Sequence, residues 1–465
     1  MVPERLRPVL EPAIDLARLF EEQGAHLYLV GGAVRDAFLG KLGPESDLDF
    51  TTDALPDRTE QILSGWAESI WLQGKRFGTV GASRDGRRVE VTTHRAEQYD
   101  SGSRKPDVVF STALEADLSR RDFTVNAMAL SLPDLRMMDP FGGAADLAAG
   151  TLRTPLSPET SFTDDPLRML RAARFIAGYN LQPEDELVAA VTRLRGRLDI
   201  VSDERVRDEL DKLMVVADPA PGLWFLVRTG LAEEFLPELP ALGLEQDPLH
   251  RHKDVLAHTI AVVQRTRPER LIRLAALFHD VGKPKTRSFG PGGTVTFHHH
   301  ELVGARMTRD RMKALRYPVE DIEKVSKLVE LHLRFHTYGM GWTDSAVRRY
   351  VRDGGDLLEE LNELTRCDCT TRNAAKAKAL SDRMDELERR IAELREREEL
   401  ASIRPDLDGR EVMARLGIGP GPVVGRALGF LMEERLEHGP RSHDEAIALL
   451  EQWWAEQPEA QPTDE

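Results

Sequence analysis

Asp47 and Asp49 stand one residue apart in Ser46-Asp47-Leu48-Asp49-Phe50, shortly after Gly31-Gly32 and Arg35. In a strand, residues i and i+2 project to one face. The two carboxylates would therefore point one way and Leu48 and Phe50 toward a core. Two hard oxygen donors beside a Gly-rich turn suit Mg²⁺ bridging to a nucleoside triphosphate. Asp47 and Asp49 are thus the candidate Mg²⁺ ligands and catalytic groups. Glu90, in Val89-Glu90-Val91-Thr92-Thr93, is a candidate third carboxylate on a neighbouring strand, although an exposed strand glutamate would look the same. Gly31 and Gly32 leave backbone N–H groups open to phosphate, and Arg35 can donate to it. The chemistry such groups support is metal-assisted reaction at a phosphate, in which divalent ions activate a hydroxyl and clamp the attacking and leaving oxygens.

The elements around these residues are legible in outline. Strands are expected at 27–30, 47–51, 79–83 and 89–93, with Asp85-Gly86 as a hairpin turn between the last two. From Asp164 onward strand signals almost disappear. The segment DPLRMLRAARFIAGYN has helical period, and Pro166 suits a first helical turn. Asp165 and Arg168, three apart, are expected to share one face of that helix. Such a pair could accept from the amino group and donate to the ring nitrogen of cytosine or adenine, and so reject uracil and guanine. Arg171 and Arg174 continue the stripe. Asp165 also fits a helix N-cap. Residues 94–106 read as a polar loop, 372–403 as a long charged helix and the last residues as disordered.

A second constellation comprises His258, His279-Asp280, His299/His300-Glu301, His332 and Asp368. Imidazole with carboxylate suits a divalent transition metal, and Mn, Ni, Fe and Zn remain open. The chain has 465 residues, with 41% hydrophobic and 31% charged residues, which predicts a soluble protein of about three domains. Cys367 and Cys369 are its two cysteines, so a disulfide framework is not expected and a reducing cytoplasm is. No segment is apolar enough for a membrane span. The N-terminal stretch reads as an amphipathic helix, not a signal peptide. A net charge of −16 argues against a generic nucleic-acid coat, while the arginines of 168–174 and 193–207 could form a local basic surface for RNA.

Gly31-Gly32-Ala33-Val34-Arg35-Asp36 with Asp47-Leu48-Asp49-Phe50 resembles the first motif of class II tRNA nucleotidyltransferases and bacterial poly(A) polymerases. Arg120-Arg121-Asp122-Phe123-Thr124-Val125-Asn126-Ala127 resembles the second motif, and Asp139-Pro140-Phe141-Gly142-Gly143 the third. Residues 164–175 resemble the nucleotide-selecting motif, and Glu204-Arg205-Val206 with Glu209-Leu210 the last. Phe278-His279-Asp280-Val281-Gly282-Lys283 is similar to the signature of HD metal-dependent phosphohydrolases.

The resemblance implies an α+β chain: a small mixed α/β nucleotidyltransferase head over 1–154 and a helical neck over 155–240. An HD domain over 241–372 and a helical, tRNA-binding tail over 373–465 would follow. It implies addition of CCA to tRNA from CTP and ATP. Gly31, Gly32, Arg35, Arg121, Asp165, Arg168, Arg171 and Arg174 would touch the nucleotide, and Mg²⁺ would lie on Asp47 and Asp49. His258, His279, Asp280, His300, His332 and Asp368 would hold the second metal, in a domain that is a phosphodiesterase, a phosphatase or a scaffold. A loop at 94–106 accompanies addition of the terminal A in this family. Residues 74–80 look more like the tRNA enzymes than the poly(A) polymerases. Poly(A) polymerase, an HD phosphohydrolase with a nucleotide-sensing head, and an inert tRNA-binding protein are the alternatives. Oligomeric state is open.

Overall fold

The computed structural model describes residues 7–43, 48–98, 107–244, 254–290, 294–337, 341–369, 374–398 and 403–460. The chain divides into two units, residues 1–241 with 314–317, and residues 242–313 with 318–465.

The first unit begins with α1 (Arg7–Glu22), β1 (Leu27–Val30), α2 (Gly32–Phe38), β2 (Leu48–Thr52), α3 (Pro56–Ser64) and β3 (Ser69–Trp71). It continues with β4 (Thr79–Arg84), β5 (Arg87–Thr93), β6 (Arg95–Gln98), β7 (Asp107–Phe110), α4 (Leu114–Ser119), β8 (Ala129–Leu132), β9 (Arg136–Met138) and α5 (Gly143–Ala149). Seven strands form one sheet in the order β3-β4-β5-β2-β1-β8-β9. β2 and β5 run parallel and the other neighbours antiparallel. Asp85 and Gly86 both take positive φ (50° and 74°), which matches the tight two-residue turn between β4 and β5.

The two faces of the sheet differ. One carries the main core, where Leu27, Leu29, Leu48, Phe50, Val80, Ala82, Val89 and Val91 pack with Leu10, Leu16, Phe20 and Trp66. The other carries a smaller cluster of Val30, Leu118, Ala127 and Ala129, and leaves Asp49, Arg88 and Glu90 exposed. Strands β3, β8 and β9 add to those expected from sequence. The segment expected as one loop at 94–106 is a strand at its start, because β6 pairs with β7 in a ribbon; 99–106 lie outside the described residues.

Helices α6 (Pro158–Asp164), α7 (Leu167–Tyr179), α8 (Asp185–Leu194), α9 (Asp203–Met214), α10 (Ala220–Arg228) and α11 (Leu231–Phe235) complete this unit. The second unit contains α12 (Val255–Arg265), α13 (Arg270–Phe278), α14 (Lys283–Thr286), α15 (His300–Ala314), α16 (Val319–Leu331), α17 (Asp344–Gly354), α18 (Leu358–Asp368) and α19 (Ala374–Arg397). α20 (Gly409–Leu416), α21 (Pro422–His438) and α22 (His443–Ala455) share a separate small core around Val412, Leu431 and Leu450. Gly417, with φ 65°, ends α20, and Pro422 opens α21, so Leu416–Pro422 is a cap and turn. No helix among the described residues is long and apolar enough to cross a membrane.

Candidate functional site

Asp49 and Glu90 are register partners on the parallel strands β2 and β5. Directly paired side chains share a face, and both carboxylates are on the exposed one. Leu48 and Phe50 point the other way, 4% and 1% exposed. Asp47 lies outside the described residues.

Gly31 follows β1 with φ 70° and caps α2. A Cβ there would come within 3.1 Å of the Arg121 guanidinium, and one at Gly32 within 3.3 Å of that of Arg35. The glycine pair therefore makes room for two cationic heads as well as baring backbone N–H groups. Arg35 is 6% exposed. It donates to both Asp36 oxygens (2.9 and 3.1 Å) and to Asn126 Oδ1, and stacks 4.1 Å from the Tyr179 ring centroid. Arg121 donates to Asp117 at 3.1 Å, as does Arg120 at 2.7 Å. Burial works to raise the Asp117 carboxyl, but the two guanidinium charges hold it at about 2.

Arg171 and Arg174 share Glu209 (3.5 and 2.8 Å), whereas Arg168 turns to other partners. Asp165 is not on a helix face with Arg168, because its extended backbone (φ −136°, ψ 98°) separates α6 from α7. Its Oδ1 accepts from Leu167 N at 3.2 Å and its Oδ2 from Arg205 at 3.4 Å. Arg168 is buried and donates to Ser161 Oγ (3.0 Å) and to the Arg120 carbonyl. Arg171 donates twice to Asp122 Oδ2, at 2.9 and 2.6 Å, and Arg174 to Glu209 at 2.8 Å. Asp117, Asp122, Asn126 and Tyr179 were not singled out from sequence. Each lies within or next to a singled-out motif, and no spacing rule marked them.

In the second unit, six side chains from five helices and their ends converge. His258 is on α12, His279-Asp280 follow α13, His300 opens α15, His332 caps α16 and Asp368 ends α18. His258 Nε2 lies 2.9 Å from Asp368 Oδ1, 3.3 Å from His279 Nε2 and 3.5 Å from Asp280 Oδ2. His300 Nε2 lies 3.3 Å from Asp280 Oδ1. One ligand atom from each residue falls within 4.8 Å in two groups that share Asp280: His258–His279–Asp280 and Asp280–His300–His332.

Three rings repeat one device. Nδ1 of His279, His300 and His332 lies 2.7, 2.8 and 2.6 Å from the carbonyl three residues earlier. Donation there turns each Nε2 toward the cluster. The Nε2 atom of His332 is buried without a hydrogen-bond partner and that of His300 faces Asp280 Oδ1 outside hydrogen-bond geometry, which fits metal ligation. Burial would lower the His279 ring, but the Asp280 and Asp368 charges raise it. Burial pushes His332 down to about 3, with the His279 charge adding. The carboxylates thus draw positive charge into the cluster, and His332 is a neutral donor. Lys283 Nζ, 2.7 Å from Asp280 Oδ2, supplies part of that charge.

A mixed α/β head with paired strand carboxylates, in one chain with a helical cluster of candidate metal ligands, defines a nucleotidyltransferase with an HD domain. The family described as "Poly A polymerase head domain" matches residues 27–153. "Probable RNA and SrmB- binding site of polymerase A" matches 180–242, and "HD domain" matches 255–392. The chain is 36% identical to an "A-adding tRNA nucleotidyltransferase" of Deinococcus radiodurans, over 92% of this chain and 96% of the relative. It is 32% identical to a "CC-adding tRNA nucleotidyltransferase" of Thermus thermophilus, over 91% and 93% respectively. The Bacillus stearothermophilus CCA-adding enzyme, solved in complex with CTP, has the same fold. Its TM-score is 0.71 at 23% identity, with 96% of this chain and 98% of that one covered. The chain belongs to the tRNA nucleotidyltransferase and poly(A) polymerase family.

Proposed function

We propose that the protein adds CCA to the 3′ end of tRNA from CTP and ATP, releasing pyrophosphate, without a nucleic-acid template. The observation that carries this is the Asp49–Glu90 pair, in register on one exposed face, one strand away from Gly31-Gly32 with Arg35 and Arg121. The donor set fits a hard divalent ion. Asp47, Asp49 and Glu90 would hold Mg²⁺, which when bound supplies charge neutralisation and an acidified hydroxyl. Arg35 and Arg121 neutralise the triphosphate, and the Gly31-Gly32 backbone lies against it. Asp36, Asn126 and Tyr179 keep Arg35 in place before substrate arrives.

Asp165 reads the base from the break between α6 and α7. Arg168 joins it by exchanging its contacts with Ser161 and the Arg120 carbonyl for the base. Arg171 and Arg174 hold α7 against Asp122 and Glu209 rather than touching the nucleotide directly. The cytoplasm, where Cys367 and Cys369 stay reduced thiols, is the compartment this function implies. In the HD domain, the six-residue cluster would hold a divalent transition metal, which when bound supplies an activated water for phosphoester hydrolysis. Lys283 beside Asp280 limits the net charge there.

Addition of the terminal A alone is a second reading, favoured by the activity named for the Deinococcus relative, which matches nearly end to end. The deciding assay offers tRNA ending at the discriminator base, at C and at CC, with CTP and ATP together and singly, and an oligo(A) primer. CCA addition predicts extension of all three tRNAs to CCA. Extension of the CC-ending tRNA alone establishes the second reading. Processive growth of oligo(A) refutes both.

A further inference from the structure

The exposed face of the sheet continues beyond the carboxylates. Asp49 pairs with Glu90, Glu90 with Gly81, and Gly81 with Trp71, one row across β2, β5, β4 and β3. Gly81 is required by this row, because any Cβ there would overlap Nε1, Cε2 and Cζ2 of the Trp71 indole. The indole therefore lies over the Gly81 backbone, reaching back toward Glu90. Adjacent strands are about 4.8 Å apart, so the ring lies about one strand spacing from the Glu90 backbone. Arg88, two residues before Glu90, is exposed on the same face. Ser69 and Ser83, joined by a 2.7 Å hydrogen bond, flank the tryptophan. These side chains line a cleft of about 650 Å³.

We propose that Trp71 is a stacking platform for the 3′-terminal base of the acceptor RNA, with Arg88 meeting its phosphate. The proposal rests on the reading of Asp49 and Glu90 as the reaction centre. The order of groups across the sheet identifies the occupant. Gly31-Gly32, with Arg35 and Arg121, follows β1, on one side of β2; Trp71 is on the other side, beyond β5 and β4. In phosphoryl transfer the attacking and leaving oxygens lie roughly in line. With the triphosphate and its leaving pyrophosphate on the β1 side, the hydroxyl must enter from the β3 side. An aromatic face binds any base, and a cation beside it tracks the backbone, which suits an acceptor whose last base changes at each addition.

The test uses full-length protein and an RNA acceptor hairpin with 2-aminopurine as its 3′-terminal base. Wild type and Trp71→Phe should quench the fluorescence on binding; Trp71→Ala and Gly81→Val, which displaces the ring, should not. With unmodified hairpin, Trp71→Ala should raise KM for RNA by roughly 5- to 150-fold, the value of one base–aromatic stack, and leave KM for CTP and ATP unchanged. That unchanged KM also shows that the variant is folded. Unaltered quenching and KM for RNA would overturn the platform, as would a rise in nucleotide KM alone, which would put the incoming base there instead. The quenching arm is repeated in Asp49→Asn. Nucleotide addition persisting in Asp49→Asn would refute the reaction centre, whereas quenching that ignores Trp71 in that background would refute only the platform.

Discussion

Asp122→Asn should weaken the first unit in a way that depends on pH. Asp122 is 8% exposed. It receives two hydrogen bonds from Arg171, one from Asn126 Nδ2 (2.8 Å) and one from Phe123 N (2.8 Å). Burial works to raise its carboxyl, but the Arg171 charge and these donors hold it at about 2 against an ordinary 3.8. That difference is worth about 2.4 kcal/mol at neutral pH. The asparagine amide would also point a donor at the Arg171 guanidinium, so the loss should be about 2–4 kcal/mol. Because the folded-state value is the lower one, the stabilisation is complete above 3.8 and is lost as pH falls through about 2. Urea unfolding of both proteins at pH 7, 5 and 3, followed by far-UV circular dichroism, should show a gap that holds from pH 7 to 5. By pH 3 the ionisation part should shrink to roughly half. A second readout follows from Asn126, which bonds Asp122 on one side and Arg35 on the other. Loosening it should raise KM for CTP and ATP. A gap below about 0.5 kcal/mol at pH 7, the size of an ordinary surface substitution, would refute the argument. So would a gap that does not vary with pH.

Asp49→Asn and Glu90→Gln should each lower kcat for nucleotide addition by at least about 10²-fold with little change in thermal stability, since both side chains are exposed. Near-normal rates under Mg²⁺ in either variant would remove it from the reaction centre. His300→Ala and His332→Ala should reduce transition metal in the purified protein, measured by elemental analysis, while tRNA extension continues. Wild-type protein purified without any such metal would count against the cluster as a metal site. Asp165→Ala should narrow the preference for CTP and ATP over UTP and GTP by about 1–3 kcal/mol in kcat/KM. Lower stability with unchanged preference would leave Asp165 as the cap its bond to Leu167 N already makes it.

The fold class was legible from the family resemblance, and the first motif is a strand, a short helix and a strand whose Leu-Asp-Phe alternates. β1, β2, β4 and β5 were placed within a residue or two. β3 and β9 read Ser-Ile-Trp and Arg-Met-Met, three residues each with no alternation long enough to register, and pairing alone makes them strands. β6 was lost in a polar stretch whose partner, β7, lies across 99–106. Asp165 was placed on the wrong kind of backbone because Pro166 fits a helix start, while the residue before a proline is pushed toward extended geometry. The six candidate HD-type ligands are scattered from 258 to 368, so no spacing rule unites them. Family resemblance alone collected them, and the folded chain brings them within a few ångströms.

The arginines of α7 show why spacing misled there. At 3.6 residues per turn, steps of three move each side chain back by about 60°, so Arg168 and Arg174 end about 120° apart while each neighbouring pair stays close. Arg168 meets the Arg120 carbonyl, Arg171 meets Asp122 and Glu209, and Arg174 meets Glu209 on α9. Two of these partners belong to the motif that also supplies Arg121 and Asn126. Arg121 stands against Gly31, and Asn126 holds Arg35. A hydrogen-bonded path therefore runs from Arg171, through Asp122 and Asn126, to the arginine beside Gly32. If the base is read where α7 begins and the triphosphate is held where α2 begins, this path is the contact through which a wrong base would disturb phosphate binding. A mismatched nucleotide would then lose affinity at both ends, which lets one protein surface discriminate bases without a template.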